Sequence, residues 1–439
     1  MGLQRWTVLF VFLLVTGCTN VTTNQSGIPV MVSFVDAATE DPIRSTVTVR
    51  VEGSGKDLVR DSKGGITNVL TATGGSLTFQ LSSSASLSPE APVELVLVID
   101  AEGFVSTSLT QRLTSPTPDV IVLRLVNMAT PPRGITVTTN SSAMADTTGR
   151  IVVGAQIATN PDPQTGATAN VTIPTDITVT DLNGEPLSGT LNTQMIYYSP
   201  RELESIMAYP GGVSVRVSGN PSGVSNGYFK SAGMVMVELR DSSNRVGRNF
   251  SGAGLEVAID VPAATLDPIL NKIVTNGDRI PLWSSDTQTG EWTYEGEASA
   301  VSPLNGDPKT TFTFRARHLT MYNLDWLIDD CALSRKIHIV NGVLQPIDET
   351  TAQTLSFRVL IKNTMGKYDG LVHNFAANKD YETTYNVVQF KGAPRTNGLN
   401  IITLNSVGQA LADQHFNTAA GNGLCDVSNL DPLYIVVNI

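Results

Sequence analysis

Histidine, cysteine, tryptophan and charge are all scarce in this sequence, and each scarcity excludes something. Four histidines, His318, His338, His373 and His415, are scattered through 439 residues, and none lies in H-E-x-x-H or another paired metal spacing. There is no phosphate-cradling G-x-x-x-x-G-K and no dinucleotide fingerprint. Beyond the first residues no stretch approaches the ~18 apolar residues of a membrane span. Only 16% of the residues are charged, and the 29 basic ones are outnumbered by 40 acidic ones, for a net charge of −11. A surface of that sign repels a phosphate backbone, so nucleic acid is not an expected partner. No cofactor and no metal is expected.

The one apolar run stands at the start. Residues Met1 to Gly17 read as a signal peptide, with Arg5 as its positive region and Val8 to Val15 as an apolar core too short to remain as a span. It ends in Val15-Thr16-Gly17-Cys18, which resembles the bacterial lipobox. That resemblance implies a diacylglyceryl group on the Cys18 thiol and Cys18 as the new N-terminus. The alternative is an ordinary leader with a chance cysteine at its end. Acyl chains contribute ~0.8 kcal/mol per buried CH₂, so the lipid is expected to bind the protein to a membrane durably. Thr19 follows rather than an aspartate, which in enteric-type sorting directs the protein to the outer membrane. Residues 18–28, rich in Thr, Asn and Ser, read as a flexible tether. Loss of the leader removes Arg5 and moves the net charge to −12.

With Cys18 taken by lipid, Cys331 and Cys425 remain. In an oxidising envelope the simplest expectation is a disulfide between them; free thiols or a two-cysteine metal site lack neighbouring ligands at zinc spacing.

What is abundant is Gly, Thr, Ser, Asn and Val, the composition of short strands and tight turns. The expected fold is all-β, a tandem array of antiparallel β-sandwich (Ig- or transthyretin-like) domains, about three for this length. The first, 29–130, runs through Val30, Val32 and Phe34, a turn at Asp36 to Ile43, Thr46 to Val51, Leu77 to Phe79, Leu95 to Ile99, the turn Ala101-Glu-Gly-Phe104, and Val120 to Leu125. Over residues 28–127 this order resembles the carboxypeptidase regulatory-like, or transthyretin-like, sandwich. Glu40-Asp41 stand where that family usually has Gly-Glu. The resemblance implies a structural module without catalytic residues of its own. Pro131-Pro132-Arg133 marks a linker.

The middle region, 134–329, carries Ala169 to Ile173, the turn Asp181-Leu-Asn-Gly184, and Ser199-Pro200-Arg201-Glu202, which reads as a capping box opening a short helix to about Met207. Strands follow at Gly233 to Leu239, Leu255 to Val261, Ile280 to Trp283 and Thr311 to Phe314; a further division near residue 228 is left open. The pattern Pro281-Leu-Trp283…Asp286…Thr289-Gly290-Glu-Trp292, followed by His318-Leu-Thr320-Met-Tyr-Asn323, is similar over about 170–326 to the extracellular region of cartilage intermediate layer-type proteins and related bacterial surface proteins. It implies a matrix-facing sandwich without established catalysis. The third domain, 330–439, reads as strands at Lys336 to Val340, Leu355 to Ile361, Asn386 to Phe390, Ile401 to Leu404 and Leu433 to Val437, with a helical turn at Val407 to His415. No fixed period is found, and the array reads as unlike modules.

Four constellations invite chemistry. Gly223-Val-Ser225-Asn-Gly227 matches the serine-hydrolase elbow, but that motif needs a helix after the serine and the following residues read as strand. Asp181-x-Asn183-Gly184 and Asp286-x-x-x-Gly290 hold calcium-type oxygens without a full ligand series, and hairpin turns explain them better. Trp283, Trp292 and Trp326 could stack on sugar rings or fill the core of the middle sandwich. His318-Leu319-Thr320 is similar to the self-cleavage sites of adhesion receptors and ZU5-type sandwiches. That likeness implies Thr320 as nucleophile, His318 as general base and a cut after Leu319, given a strained backbone. The sequence therefore points to a lipid-anchored surface protein, structural or adhesive, without catalysis. It would bind the membrane through its lipid and a surface polymer, matrix component or protein through its sandwiches. The alternatives are a self-processing protein and a carbohydrate-binding one.

Overall fold

The computed structural model describes residues 27–439 apart from 89–90, 114–119, 287–288, 302–308, 334, 363–367, 376, 383–384, 395–397, 406–408, 418–422, 426–432 and 438–439. The leader, Cys18 and the tether up to residue 26 lie outside the described residues. The described chain is all-β, with two short α-helices, and none of its helices is long and apolar enough to cross a membrane.

Alternation of apolar and polar residues places many of the strands with one face inward. In Ser76–Ser82, for example, Leu77, Phe79 and Leu81 are buried while Ser76 and Thr78 are exposed. Two four-stranded sheets result in the first unit. One has the order Val59–Arg60, Ser76–Ser82, Gly27–Asp36, Ile121–Leu125; the other has Val69–Ala72, Val47–Glu52, Val93–Ala101, Thr107–Leu113. Gly27–Asp36 pairs antiparallel with Ser76–Ser82 and parallel with Ile121–Leu125. Between the sheets lies a closed core that includes Val30, Phe34, Val49, Phe79, Leu95 and Leu97. Full burial of such side chains contributes about 1.5–3 kcal/mol each.

The third unit repeats this plan. Ile337–Asn341 pairs antiparallel with Tyr385–Pro394 and parallel with Leu433–Val437. The facing sheet runs Tyr368–Phe375, Ser356–Lys362, Gly398–Leu404, Ala410–Asn417, in the same sequential order as its counterpart in the first unit. The two units differ in where the small edge strand arises. Val59–Arg60 precedes its sheet partner's hairpin in the first unit, whereas Ala377–Glu382 joins Tyr385–Pro394 directly in the third. The expectation of unlike modules is thus corrected: the first and third sandwiches share a topology that no fixed sequence period revealed. The helical turn expected at Val407 to His415 is corrected too, since Ala410–Asn417 is a strand paired with Gly398–Leu404. Sheet pairing overrides a local helical pattern there.

A single turn device recurs through the array. Asp61, Asp146, Asp181, Asp241 and Asn341 each accept, through Oδ1, the backbone N–H groups two and four residues on. The residue three places on takes a positive φ, as Gly184 does at 83° and Asn244 at 62°. The side-chain oxygen satisfies N–H groups that a tight hairpin leaves unpaired, and the left-handed residue reverses the chain. The Oδ1 of Asp181, a calcium-type oxygen by sequence, is spent on this turn.

The middle unit is built on one twelve-stranded sheet, with two short two-stranded ribbons beside it. Its path runs from Ile151–Val153 through Ile135–Ala145, Gly189–Tyr198, Asn226–Arg240 and Met321–Ile328 to Arg279–Ser285 and Trp292–Val301. It then turns through Thr310–Ala316, Leu255–Val261 and Ala169–Ile173 to Ala155–Ala158. The two end strands are separated only by Gly154, so the sheet wraps around one core that includes Val171, Met195, Tyr197, Val257, Phe312 and Leu324. A Cβ at position 154 would meet the Ile173 carbonyl oxygen at 2.5 Å, which is why the bend takes glycine. No division falls near residue 228. Asn226–Arg240 runs through that point and bonds both Gly189–Tyr198 and Met321–Ile328. The helix is Leu203–Met207 and starts later than the capping box implied. The Ser199 hydroxyl donates to the buried Asp162 carboxylate at 2.7 Å, and Glu202 stands at the helix start with no side-chain cap.

Cys331 and Cys425 form a disulfide with Cα atoms 5.6 Å apart, tying Asp330–Leu333 to the turn Gly423–Cys425. A closed loop spanning 94 residues contributes about 4–5 kcal/mol in the chain-entropy account. Phe79 is fully buried at the centre of the first core. Phe79→Ala is expected to cost about 3–5 kcal/mol, read as a lower denaturant midpoint for the first unit with unchanged m.

Candidate functional site

Charged side chains in β-sandwich cores are rare because an ion loses its hydration there. Five elements bring such groups together between the middle and third units. Lys230 sits in Asn226–Arg240, a strand whose residues 227–237 are otherwise apolar or small and buried. Arg201 lies just before the helix Leu203–Met207, and Asp325 and Trp326 lie in Met321–Ile328. Asp369 comes from the edge strand Tyr368–Phe375 of the third unit. Leu266 opens a short hairpin and faces the same carboxylate.

Lys230 and Asp369 are both 0% exposed, and Arg201 is 5% exposed. Lys230 Nζ stands 3.0 Å from Asp369 Oδ1, and Arg201 Nη1 stands 2.9 Å from the same oxygen. The Leu266 N–H donates to Asp369 Oδ2 at 3.1 Å. Arg201 Nη2 donates to the Ala263 carbonyl at 2.9 Å and to the Thr265 hydroxyl at 3.0 Å. The Lys230 ammonium lies 5.0 Å from the centroid of the Trp326 ring, a cation–π contact. The next residue explains the close approach. Gly370 has φ 78°, its N–H donates to the Pro200 carbonyl at 3.0 Å, and a Cβ there would run into the Ser231 carbonyl.

Burial lowers the Lys230 pKa, and Asp369 opposes that shift. Arg201 is lowered for the same reason. Asp325, 0% exposed, is pushed well above the usual carboxylate range by burial, with Ser231 and Lys230 acting in the other direction. Lys230 Nζ and Asp369 Oδ1 are at ion-pair distance yet outside hydrogen-bonding direction. The amine therefore rests against the carboxyl group rather than along a lone pair.

The structure puts the residues singled out in the sequence to other uses. Trp283, Trp292 and Trp326 are 1%, 1% and 2% exposed, which corrects the sugar-stacking alternative: no ring face is free to meet a sugar. Trp283 and Trp292 each pack 5.2 Å from Phe229, and Trp283 Nε1 donates to the Asp325 carbonyl at 3.0 Å. Ser225 lies in the loop before Asn226–Arg240; a strand follows it, so the geometry of an elbow is not formed. His318 and Thr320 do not meet. The Thr320 hydroxyl donates to the Ser285 carbonyl, whereas His318 Nε2 lies 3.1 Å from Glu295 Oε1. None of residues 318–320 has positive φ, and the His318 carbonyl accepts from the Tyr322 hydroxyl at 2.6 Å. The base and strain that self-cleavage needs are both missing from this arrangement. Among the described residues no group of three or more His, Cys, Asp or Glu stands in a metal-holding arrangement.

Sequence reading missed the cluster. Its one local signal is the lysine inside an apolar strand, and a second is the Asp369-Gly370 pair, which alone reads as an ordinary turn. Their meeting depends on how two sandwiches dock.

Two outcomes follow. Asp369→Ala leaves two buried cations without their carboxylate and is expected to cost about 3–5 kcal/mol, with the third unit becoming sensitive to protease before the first. Aged, purified protein is expected to run on a denaturing gel as one full-length band identical to Thr320→Ala; a pair of fragments split at Leu319 would show that the strand does carry chemistry.

Compared with protein families, curated proteins and solved structures, the chain has no match.

Proposed function

We propose that this chain is a lipid-anchored envelope protein acting as a structural and adhesive module, which carries a binding face away from the membrane and turns over no small molecule. The observation that carries the reading is a continuous apolar core. One cluster includes Ala37, Val105 and Val126 of the first unit, Phe229, Trp283 and Trp292 of the middle unit, and Phe357, Phe390 and Val437 of the third. Inter-domain contacts of this kind resist hinge motion, unlike the small polar contacts of loosely strung domains. A stiff array suits a spacer that must hold its far end at a fixed distance from its anchor. The lipobox-like Val15-Thr16-Gly17-Cys18 supports the anchor, and Thr19 supports the outer membrane. The likeness of 28–127 to transthyretin-like sandwiches and of 170–326 to extracellular matrix-type regions supports a surface polymer, matrix component or protein as partner. Low charge density and a net negative surface support a partner other than nucleic acid.

Fractionation of cells making the full chain tests the anchor. Wild-type protein is expected in the membrane fraction and to be shaved from intact cells by added protease. Cys18→Ser is expected to stay unprocessed or to be released as soluble protein. Mature Cys18→Ser protein still sedimenting with membranes would sink the anchor. A hydrolase activity abolished by Ser225→Ala would sink the non-catalytic role.

A further inference from the structure

We propose that Lys230 and Asp369 are joined by an amide cross-link between Lys230 Nζ and Asp369 Cγ, formed by the protein itself and locking the third unit onto the middle one.

The reacting groups are already in place. Intramolecular reactions gain from holding the two groups in contact before they react, and here the amine is 3.0 Å from an oxygen on the carboxyl carbon it would attack, with both side chains fully buried. Neither Lys230 Nζ nor Asp369 Oδ1 has a hydrogen bond of acceptable direction to compete with attack. The lysine stem is fixed by its strand, and its head by the Trp326 face. The Arg201 guanidinium stands 2.9 Å from Oδ1 as an ion pair, and the Leu266 N–H donates to Oδ2 at 3.1 Å. One cation and one N–H donor so placed stabilise the oxyanion that forms when an amine adds to a carboxyl carbon. Gly370 is what lets the aspartate's strand come this close to Ser231.

The balance of the step is simple. The Lys230 ammonium and the Asp369 carboxylate condense; the N–C bond forms, one C–O bond breaks, and the oxygen leaves with two of the ammonium protons as water. No oxidant or second reactant is required. Lys230 must reach the free-amine form to attack, and burial favours that form. The groups whose charges act on it are Asp369, Arg201 and Asp325. Asp325, buried on the neighbouring strand opposite Ser231 and acting on the Lys230 charge, is the acid the cluster offers for the proton transfer. Condensation replaces a desolvated cation and a desolvated anion with a neutral amide, and the expelled water leaves a closed interior. Arg201 and Asp325 then remain as one cation and one acid of opposite charge.

Mass spectrometry of the full-length purified chain, after reduction and complete denaturation, decides the matter. The expected result is a mass lower than that of the uncross-linked chain by one water, resistance to trypsin after Lys230, and a branched peptide joining the segments that carry Lys230 and Asp369. Lys230→Met is expected to abolish the water deficit. Linear peptides from the wild type, with trypsin cutting after Lys230, would overturn the proposal and leave a non-covalent ion pair. A water deficit persisting in Lys230→Met would overturn it as well, by placing the dehydration elsewhere. The wild-type measurement stands even if the variant fails to fold.

Discussion

An edge strand with open N–H and C=O groups must be covered, and in this molecule the cover is another domain. The edge Tyr368–Phe375 of the third sandwich packs on Asn226–Arg240 of the middle one. That docking removes Lys230 and Arg201 from water, and the removal is tolerable only because Asp369 arrives with the same strand. Two cations facing one carboxylate would still leave an excess charge, which is where Asp325 enters. With Asp325 ionised the four groups are neutral together. With Asp325 protonated, neutrality requires Lys230 to be a free amine. The geometry of the interface and the proton inventory of the cluster are therefore one problem.

Much of the fold could be read in the sequence because period-two alternation is local. Leu77, Phe79 and Leu81 announce their strand with no knowledge of its neighbours, and the turns announce themselves through an Asx residue followed by a left-handed one. Misreadings arose where a distant group had a better use for a local signal. Ser199 looks like a helix cap until Asp162 takes its hydroxyl. The segment around residue 410 looks helical until Gly398–Leu404 offers it a ladder. The shared topology of the first and third sandwiches was illegible for a related reason. Pairing direction and strand order are properties of contacts, and two sequences can satisfy the same contacts with different side chains.

The site illustrates the same limit more sharply. A tryptophan on a strand is apolar area with one polar atom, and only the layer above it decides between a platform and a core. Phe229 and Gly211 supply that layer for Trp292, as Lys230 does for Trp326. His318 and Thr320 are two residues apart, and spacing alone suggests cooperation. Glu295 and the Ser285 carbonyl separate them by offering each a partner of its own. Lys230, Arg201 and Asp369 have no shared motif at all. A lysine amid buried apolar residues is the one anomaly legible in advance, and it says that a counter-charge must exist without saying where.

Stability is distributed unevenly along this array, and the distribution fits the placement of its staples. The first sandwich closes a core of its own and, among the described residues, lends Ala37, Val105 and Val126 as buried members of the shared cluster. The third contributes its interior, from Ile337 to Val437, to the same cluster as the middle unit's Phe229 and Trp292. Undocking it would expose that apolar surface and strand the charges of Lys230 and Arg201 at once. The disulfide Cys331–Cys425 and the cluster around Asp369 both sit on this dependent unit. The disulfide limits how far its chain can open, whereas Asp369 governs whether it stays seated. A staple within the third unit cannot substitute for a staple between units, so the two act on different motions.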